Sequence, residues 1–216
     1  MIPIPITLRP TDALLVIDMQ LDFLPGGALA VTDGDTILPG INALAARFDH
    51  VLLTQDWHPS GHISFASSHP GKLPFTDTIE ASYGTQTLWP DHCIQGTPGA
   101  NLHPDLSIPH AELILRKGFR KDIDSYSAFT ENDRVTTTGL AAYLQARGLT
   151  RLFFTGLAYD FCVGFSALAA ARLGFESIVL EDLTRPVNLP NTVDATNTAF
   201  AAAGVQRISS SELLAE

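Results

Sequence analysis

The sequence predicts a doubly wound α/β fold, a mostly parallel sheet of about six strands with helices on both faces, and three observations lead there. Short runs rich in β-forming residues alternate with segments of helical period, the βαβα pattern of a parallel sheet. Each run is apolar along its length rather than alternating with polar residues, which suits strands buried on both sides. The chain has 216 residues, 45% of them apolar and 17% charged, enough to bury a substantial core as one domain spanning residues 1–216.

The elements follow in order. ALLVID at 13–18 is the first strand, followed by a helix over about 36–48 and a second strand, VLLTQ, at 51–55. Residues 56–110 interrupt the alternation: they are rich in Pro, Gly, Ser and His, hold six of the seven histidines, and show little periodicity. A loop this long in a compact domain is usually functional, and its aromatic residues favour an ordered loop that builds a site. ELILR at 112–116 is the third strand, then a helix over 137–147 closed by Gly148, and RLFFTG at 151–156 is the fourth. A helix over 162–173 closed by Gly174, the strand ESIVLED at 176–182, a helix over 191–203 and the strand VQRIS at 205–209 complete the set.

Composition excludes several classes of function. A net charge of −10 leaves no large cationic surface for nucleic acid or an anionic membrane. The opening MIPIPITLRP is broken by prolines and lacks a basic stretch, so it does not read as a signal peptide, and no apolar run reaches membrane-span length. Cys93 and Cys162 are the only cysteines, which indicates no disulfide framework and a reducing, cytoplasmic setting.

In a doubly wound sheet, ligands bind at the carboxyl ends of the strands. The first strand ends on Asp18, the second runs into Asp56, the third into Lys117, and the fourth leads through Gly156 to Cys162 at a helix start. A thiol at a helix N-terminus has a lowered pKa and neighbouring backbone N–H groups for an oxyanion, although a buried cysteine can equally be a small hydrophobe. Lys117 is either a solvated strand end or the cation that favours a thiolate. Asp18 ends an apolar strand, where an unpaired carboxylate is costly, so it needs a partner or a catalytic role. Together the three make a base, a cation and a nucleophile, the minimum kit for acyl transfer from an amide.

Asp56 and His58 are two residues apart, so on an extended segment their side chains leave the same face, and His92 supplies a third donor. Two histidines and a carboxylate suit one divalent metal, zinc first, with iron or manganese as alternatives. His62, Ser64 and His69 either complete that shell or are ordinary loop residues. Asp91 is either a spare carboxylate for that shell or a solvated loop acid, and Cys93, beside His92, either a soft ligand or a packed thiol.

VIDMQLDFLPGGALAV, TQDWHPSGHISFA, LWPDHCIQGTPGA, RKGFRKDIDSYSAF and TGLAYDFCVGFSALAA resemble, in the same order, the nicotinamidase branch of the isochorismatase-like cysteine hydrolases. The resemblance implies a catalytic triad of Asp18, Lys117 and Cys162, and a metal held by Asp56, His58 and His92. It implies that Phe23 and Trp89 hold a pyridine ring whose nitrogen faces the ion, with Tyr126 closing one side. The N–H groups of Ala158 and Cys162 would bind the oxyanion, with a cis peptide between Leu157 and Ala158. The activity implied is hydrolysis of nicotinamide, and by extension pyrazinamide, to the acid and ammonia, with a homo-oligomer left open. One departure stands out: the family usually reads ATDxC, whereas this chain has a bulky Tyr159 after Ala158. The alternatives are a related hydrolase of another amide or carbamoyl compound, or a non-catalytic small-molecule binder. The DWHP and WPDHC segments weigh against the first, having no evident duty outside a metal-bearing pocket, and the intact Asp18, Lys117 and Cys162 weigh against the second.

Overall fold

A computed structural model describes residues 6–213, so the first five residues of the proline-rich opening lie outside it. The chain runs β1 (Asp12–Ile17), α1 (Leu38–Ala45), β2 (His50–Asp56), β3 (Thr78–Ala81), β4 (Gly84–Thr87) and β5 (Leu113–Lys117). It continues through α2 (Leu140–Ala146), β6 (Arg151–Leu157), α3 (Gly164–Arg172), β7 (Glu176–Arg185), α4 (Thr192–Ala203) and β8 (Gln206–Ile208). Six strands form one parallel sheet in the order β5-β2-β1-β6-β7-β8. Among the described residues, no helix is long and apolar enough to cross a membrane.

The continuous apolar runs are explained by two cores. Along β1, Leu14 and Val16 face a cluster with Ile41 and Leu44 of α1 and Val51 and Leu53 of β2. Ala13, Leu15 and Ile17 face the other side, where Leu140 and Leu144 of α2, Ala167 and Ala170 of α3 and Phe200 of α4 pack. A strand covered on both faces has no polar side to show. At the far end of β1, the buried Arg151 guanidinium clamps the Asp12 carboxylate across to β6.

The strand order reverses beside β1, whose neighbours are β2 on one side and β6 on the other. That switch point opens a crevice at the carboxyl ends, and the chain turns there through Asp18, at φ 47°. Gly156 lets β6 pass close to it: a Cβ at this position would sit 2.1 Å from the Ile17 carbonyl oxygen.

Most element ends lie one to three residues from expectation, and two differences go further. The helix expected from 162 begins as a π-helical turn over Tyr159–Val163, and the regular helix starts at Gly164. The long loop contains the β3–β4 hairpin, which sequence patterning missed because TIEA and GTQT carry no apolar period.

Candidate active site

Lys117 is the hub of the site. It ends β5 in register with Asp56 at the end of β2, and it is almost wholly buried. Its Nζ lies 2.8 Å from Asp18 Oδ2, 2.9 Å from Asp56 Oδ1, 3.1 Å from the Ser125 carbonyl oxygen and 3.3 Å from Cys162 Sγ. Burial works against its charge, yet Asp18 and Asp56 hold its pKa well above the ordinary value.

Asp18 is fully buried. Its Oδ1 accepts from the Thr54 hydroxyl at 2.6 Å, while the same hydroxyl accepts from the Asp18 backbone N–H. Oδ2 makes the ion pair with Lys117 but no aligned hydrogen bond, so it keeps acceptor capacity. Burial raises its pKa above the usual carboxylate range, and Lys117 only partly opposes that.

Cys162 lies in the π-helical turn after β6. The Ala158 carbonyl accepts from the N–H groups of Phe161 and Val163, which flank the Cys162 N–H, and the Leu157–Ala158 peptide is cis. Burial pushes the Cys162 thiol well above its ordinary pKa, with Lys117 pulling the other way. This corrects the expectation of a thiol lowered by its helix position: the regular helix begins two residues later, and loss of water outweighs the nearby ammonium. A thiol protonated at rest needs a base.

The donor set lies beside the hub. Asp56 Oδ2 is 3.0 Å from His58 Nε2 and 3.5 Å from His92 Nε2. His58 Nδ1 donates to the Gly118 carbonyl at 2.9 Å and His92 Nδ1 to the Pro90 carbonyl at 2.7 Å. A carbonyl can only accept, so these bonds place the ring protons on Nδ1 and turn both Nε2 lone pairs toward the carboxylate. Three buried electron-pair donors within 4.8 Å of one another, each ring oriented by an outer carbonyl, are the chemistry of a metal site. Burial disfavours a charged His58, but the Asp56 carboxylate beside it lifts its pKa above the ordinary value. The geometry also depends on Gly118, at φ 66°, where a Cβ would meet the His58 ring at 2.5 Å.

Phe23, Trp89 and Tyr126 line one small cavity with Ala158, Cys162, Asp56, His58 and His92. Trp89 donates from Nε1 to the Tyr126 hydroxyl at 3.0 Å. Phe161 stands edge-on to Trp89 at 4.8 Å and completes the aromatic wall, while Leu29 and Val187 add apolar surface. Tyr159 points elsewhere: its hydroxyl donates to Asn197 and its ring packs edge-on against Phe200, so its bulk is absorbed by α4 rather than by the pocket.

Of the other loop residues, Asp91 accepts from the Ser67 hydroxyl at the surface, His69 bonds the Ile63 carbonyl, and Cys93 is a buried free thiol. His62 stacks on His58 at 4.2 Å and hydrogen-bonds Ser64. With His58 and Asp124 it forms a second buried donor group that shares His58 with the first. Sequence reasoning missed Asp124, Phe161 and Val187. Only Phe161, inside the nucleophile turn, carried a usable signal.

The family model of the Isochorismatase domain matches residues 12–212. The chain is 52% identical over 202 residues to a nicotinamidase of Acinetobacter baylyi, covering 94% of each. In structure it matches the Acinetobacter baumanii nicotinamidase pyrazinamidase at a TM-score of 0.94 and 53% identity, covering 95% of this chain and 99% of the other. The pyrazinamidase of Pyrococcus horikoshii in complex with zinc matches at 0.74 and 32% identity, over 93% and 99%. On the strength of a match running from the first strand to beyond the last, the chain belongs to the Isochorismatase domain family.

Proposed function

We propose that this chain is a metal-containing cysteine amidase that hydrolyses nicotinamide, and also pyrazinamide, through a thioester, working as one domain in a reducing cytoplasm. The observation that carries the reading is the hub: one buried ammonium touches a base, a thiol and a carboxylate whose other oxygen faces two histidines. The nicotinamidase of Acinetobacter baylyi and the zinc-bound pyrazinamidase of Pyrococcus horikoshii support the substrate and the metal.

Asp18 takes the Cys162 proton, and the thiolate, held by Lys117, attacks the carboxamide carbon. The C–S bond forms, the carbonyl pair moves onto oxygen, and the Ala158 and Cys162 N–H groups receive it. As the carbonyl reforms, the C–N bond breaks and Asp18 returns its proton to the nitrogen, which leaves as ammonia. Asp18 next deprotonates water, which attacks the thioester and releases the acid and the thiol. Asp56, His58 and His92 would hold the ion, zinc by preference, which supplies a Lewis acid for the ring nitrogen when bound. Phe23, Trp89 and Phe161 hold the flat ring between them.

The test is ammonia release by purified protein from nicotinamide, pyrazinamide and isochorismate, with metal content measured. Turnover of the two pyridine-type amides is expected. Preference for isochorismate, or no turnover of any amide, would overturn the reading.

A further inference from the structure

The nucleophile turn is braced from behind by a carboxylate that the chemistry above does not use. Ala158, Phe161 and Cys162 face the cavity, whereas Asp160, between them and 2% exposed, reaches the other way. Its Oδ1 accepts from the Val187 backbone N–H at 2.8 Å. Its Oδ2 accepts from the Asn188 N–H at 2.9 Å and from the Thr192 hydroxyl at the first turn of α4. All three partners are neutral donors from a single segment, residues 187–192. That segment lies just beyond β7 and includes Asn188 and Asn191 at positive φ, 62° and 66°, with Val187 and Leu189 packed against the core. Its one contribution to the cavity is Val187, part of the apolar lining.

The arrangement makes Asp160 a strut with one end in the turn that carries the nucleophile and the other in the wall that bounds the ring. A carboxylate suits the task because both oxygens can only accept, and they meet donors on both sides. An amide cannot replace it: in either orientation its NH₂ would face a backbone N–H, that of Val187 or that of Asn188.

We propose that Asp160 is a positioning residue that sets how large a ring this active site admits, by fixing the distance between the Cys162 turn and the Val187 wall. The inference rests on the amidase reading of the same cavity. It assigns specificity to a residue outside the cavity and leaves the chemical step to Asp18, Lys117 and Cys162.

The experiment is steady-state kinetics of the metal-replete full-length protein on nicotinamide and on 5-methylnicotinamide, whose extra methyl requires more room. In Asp160→Asn the wall is released, so KM for nicotinamide rises about tenfold, as for loss of buried hydrogen bonds, while kcat stays within about twofold. The preference for nicotinamide over the methylated ring, in kcat/KM, falls by about tenfold, the range a single methylene commands in a tight pocket. Val187→Ala gives the same loss of preference, and the double variant no more than either alone, because both act on one wall. Thr192→Val removes one bond of three and shifts the preference in the same direction by about twofold; it also serves as the measurement should Asp160→Asn not fold. The inference is overturned if Asp160→Asn or Thr192→Val lowers kcat or thermal stability with the ring preference unchanged, or if the Asp160 and Val187 effects add. An unsubstituted chain that releases no ammonia from nicotinamide overturns the amidase reading, and this inference falls with it. An active unsubstituted chain with an unmoved preference in the variants overturns the inference alone.

Discussion

At the scale of single residues, the site pairs a high-pKa thiol with a high-pKa acid, and both shifts have the same origin in burial. Cys162→Ala should abolish amide turnover with the fold intact, whereas Cys93→Ala should keep most activity, because Cys93 is a packed thiol whose N–H binds Asp22. A reversal in an ammonia assay of the two variants would reassign the nucleophile. Asp18 must be ionised to accept the thiol proton, so kcat/KM should fall as pH falls through its pKa. Because burial lifts that pKa, the acid limb should lie above the ordinary carboxylate range. Asp18→Asn should cost at least ~10²-fold in rate and remove the limb. A limb at the normal carboxylate value in a pH–rate profile would mean that Asp18 is not the base. These residues were legible because each sits where a strand pattern stops. Asp124 and Val187 were not, because they lie in loops whose path no local pattern specifies.

At the scale of elements, all six strands of the main sheet were readable: burial on both faces writes a continuous apolar run into β1, β2 and β6, and the partly exposed edge strands β5 and β8 still carry short β-forming stretches. The β3–β4 hairpin was unreadable for the opposite reason: it buries one polar side chain and little else. That side chain is Gln86, 1% exposed. Its amide nitrogen donates toward Asp124 and the Tyr126 hydroxyl, and its oxygen accepts from Tyr83 and Asn132. The hairpin therefore carries the pin that holds one wall of the pocket. Gln86→Leu should leave these partners unsatisfied, lowering stability by ~1–3 kcal/mol and raising KM for nicotinamide several-fold, about what a lost buried hydrogen bond costs. Melting curves and initial rates measure both. An unchanged KM would reduce the hairpin to a cover.

At the scale of the whole molecule, the proposed metal donors and the proposed triad are joined through Asp56, one oxygen on Lys117 and the other facing His58 and His92. Removing the ion with a chelator should raise KM for nicotinamide steeply, and adding zinc should restore it. Alkylation of Cys162 by iodoacetamide should still proceed in the stripped protein, because Lys117 and Asp18 remain beside the thiol. Benzamide, which lacks the ring nitrogen, should be a poor substrate in either state. Full nicotinamide turnover by protein shown metal-free by elemental analysis would sink the assignment.

The strand order has a consequence for how the protein is made. β1 lies at the centre of the sheet, yet its partner β6 is paired to it through Asp12 and Arg151, 139 positions apart. A nascent chain therefore presents Asp18 first, then Asp56 and His58, then His92 and Lys117, and only afterwards the strand that pairs with the second flank of β1 and the turn bearing Cys162. Until that strand emerges from the ribosome, one flank of β1 is an open edge, a hazard for misassociation and a cause of slow folding in sheets with distant partners. The same order means that the thiol is the last of these groups to be synthesised, after the carboxylates and the ammonium that are to govern it.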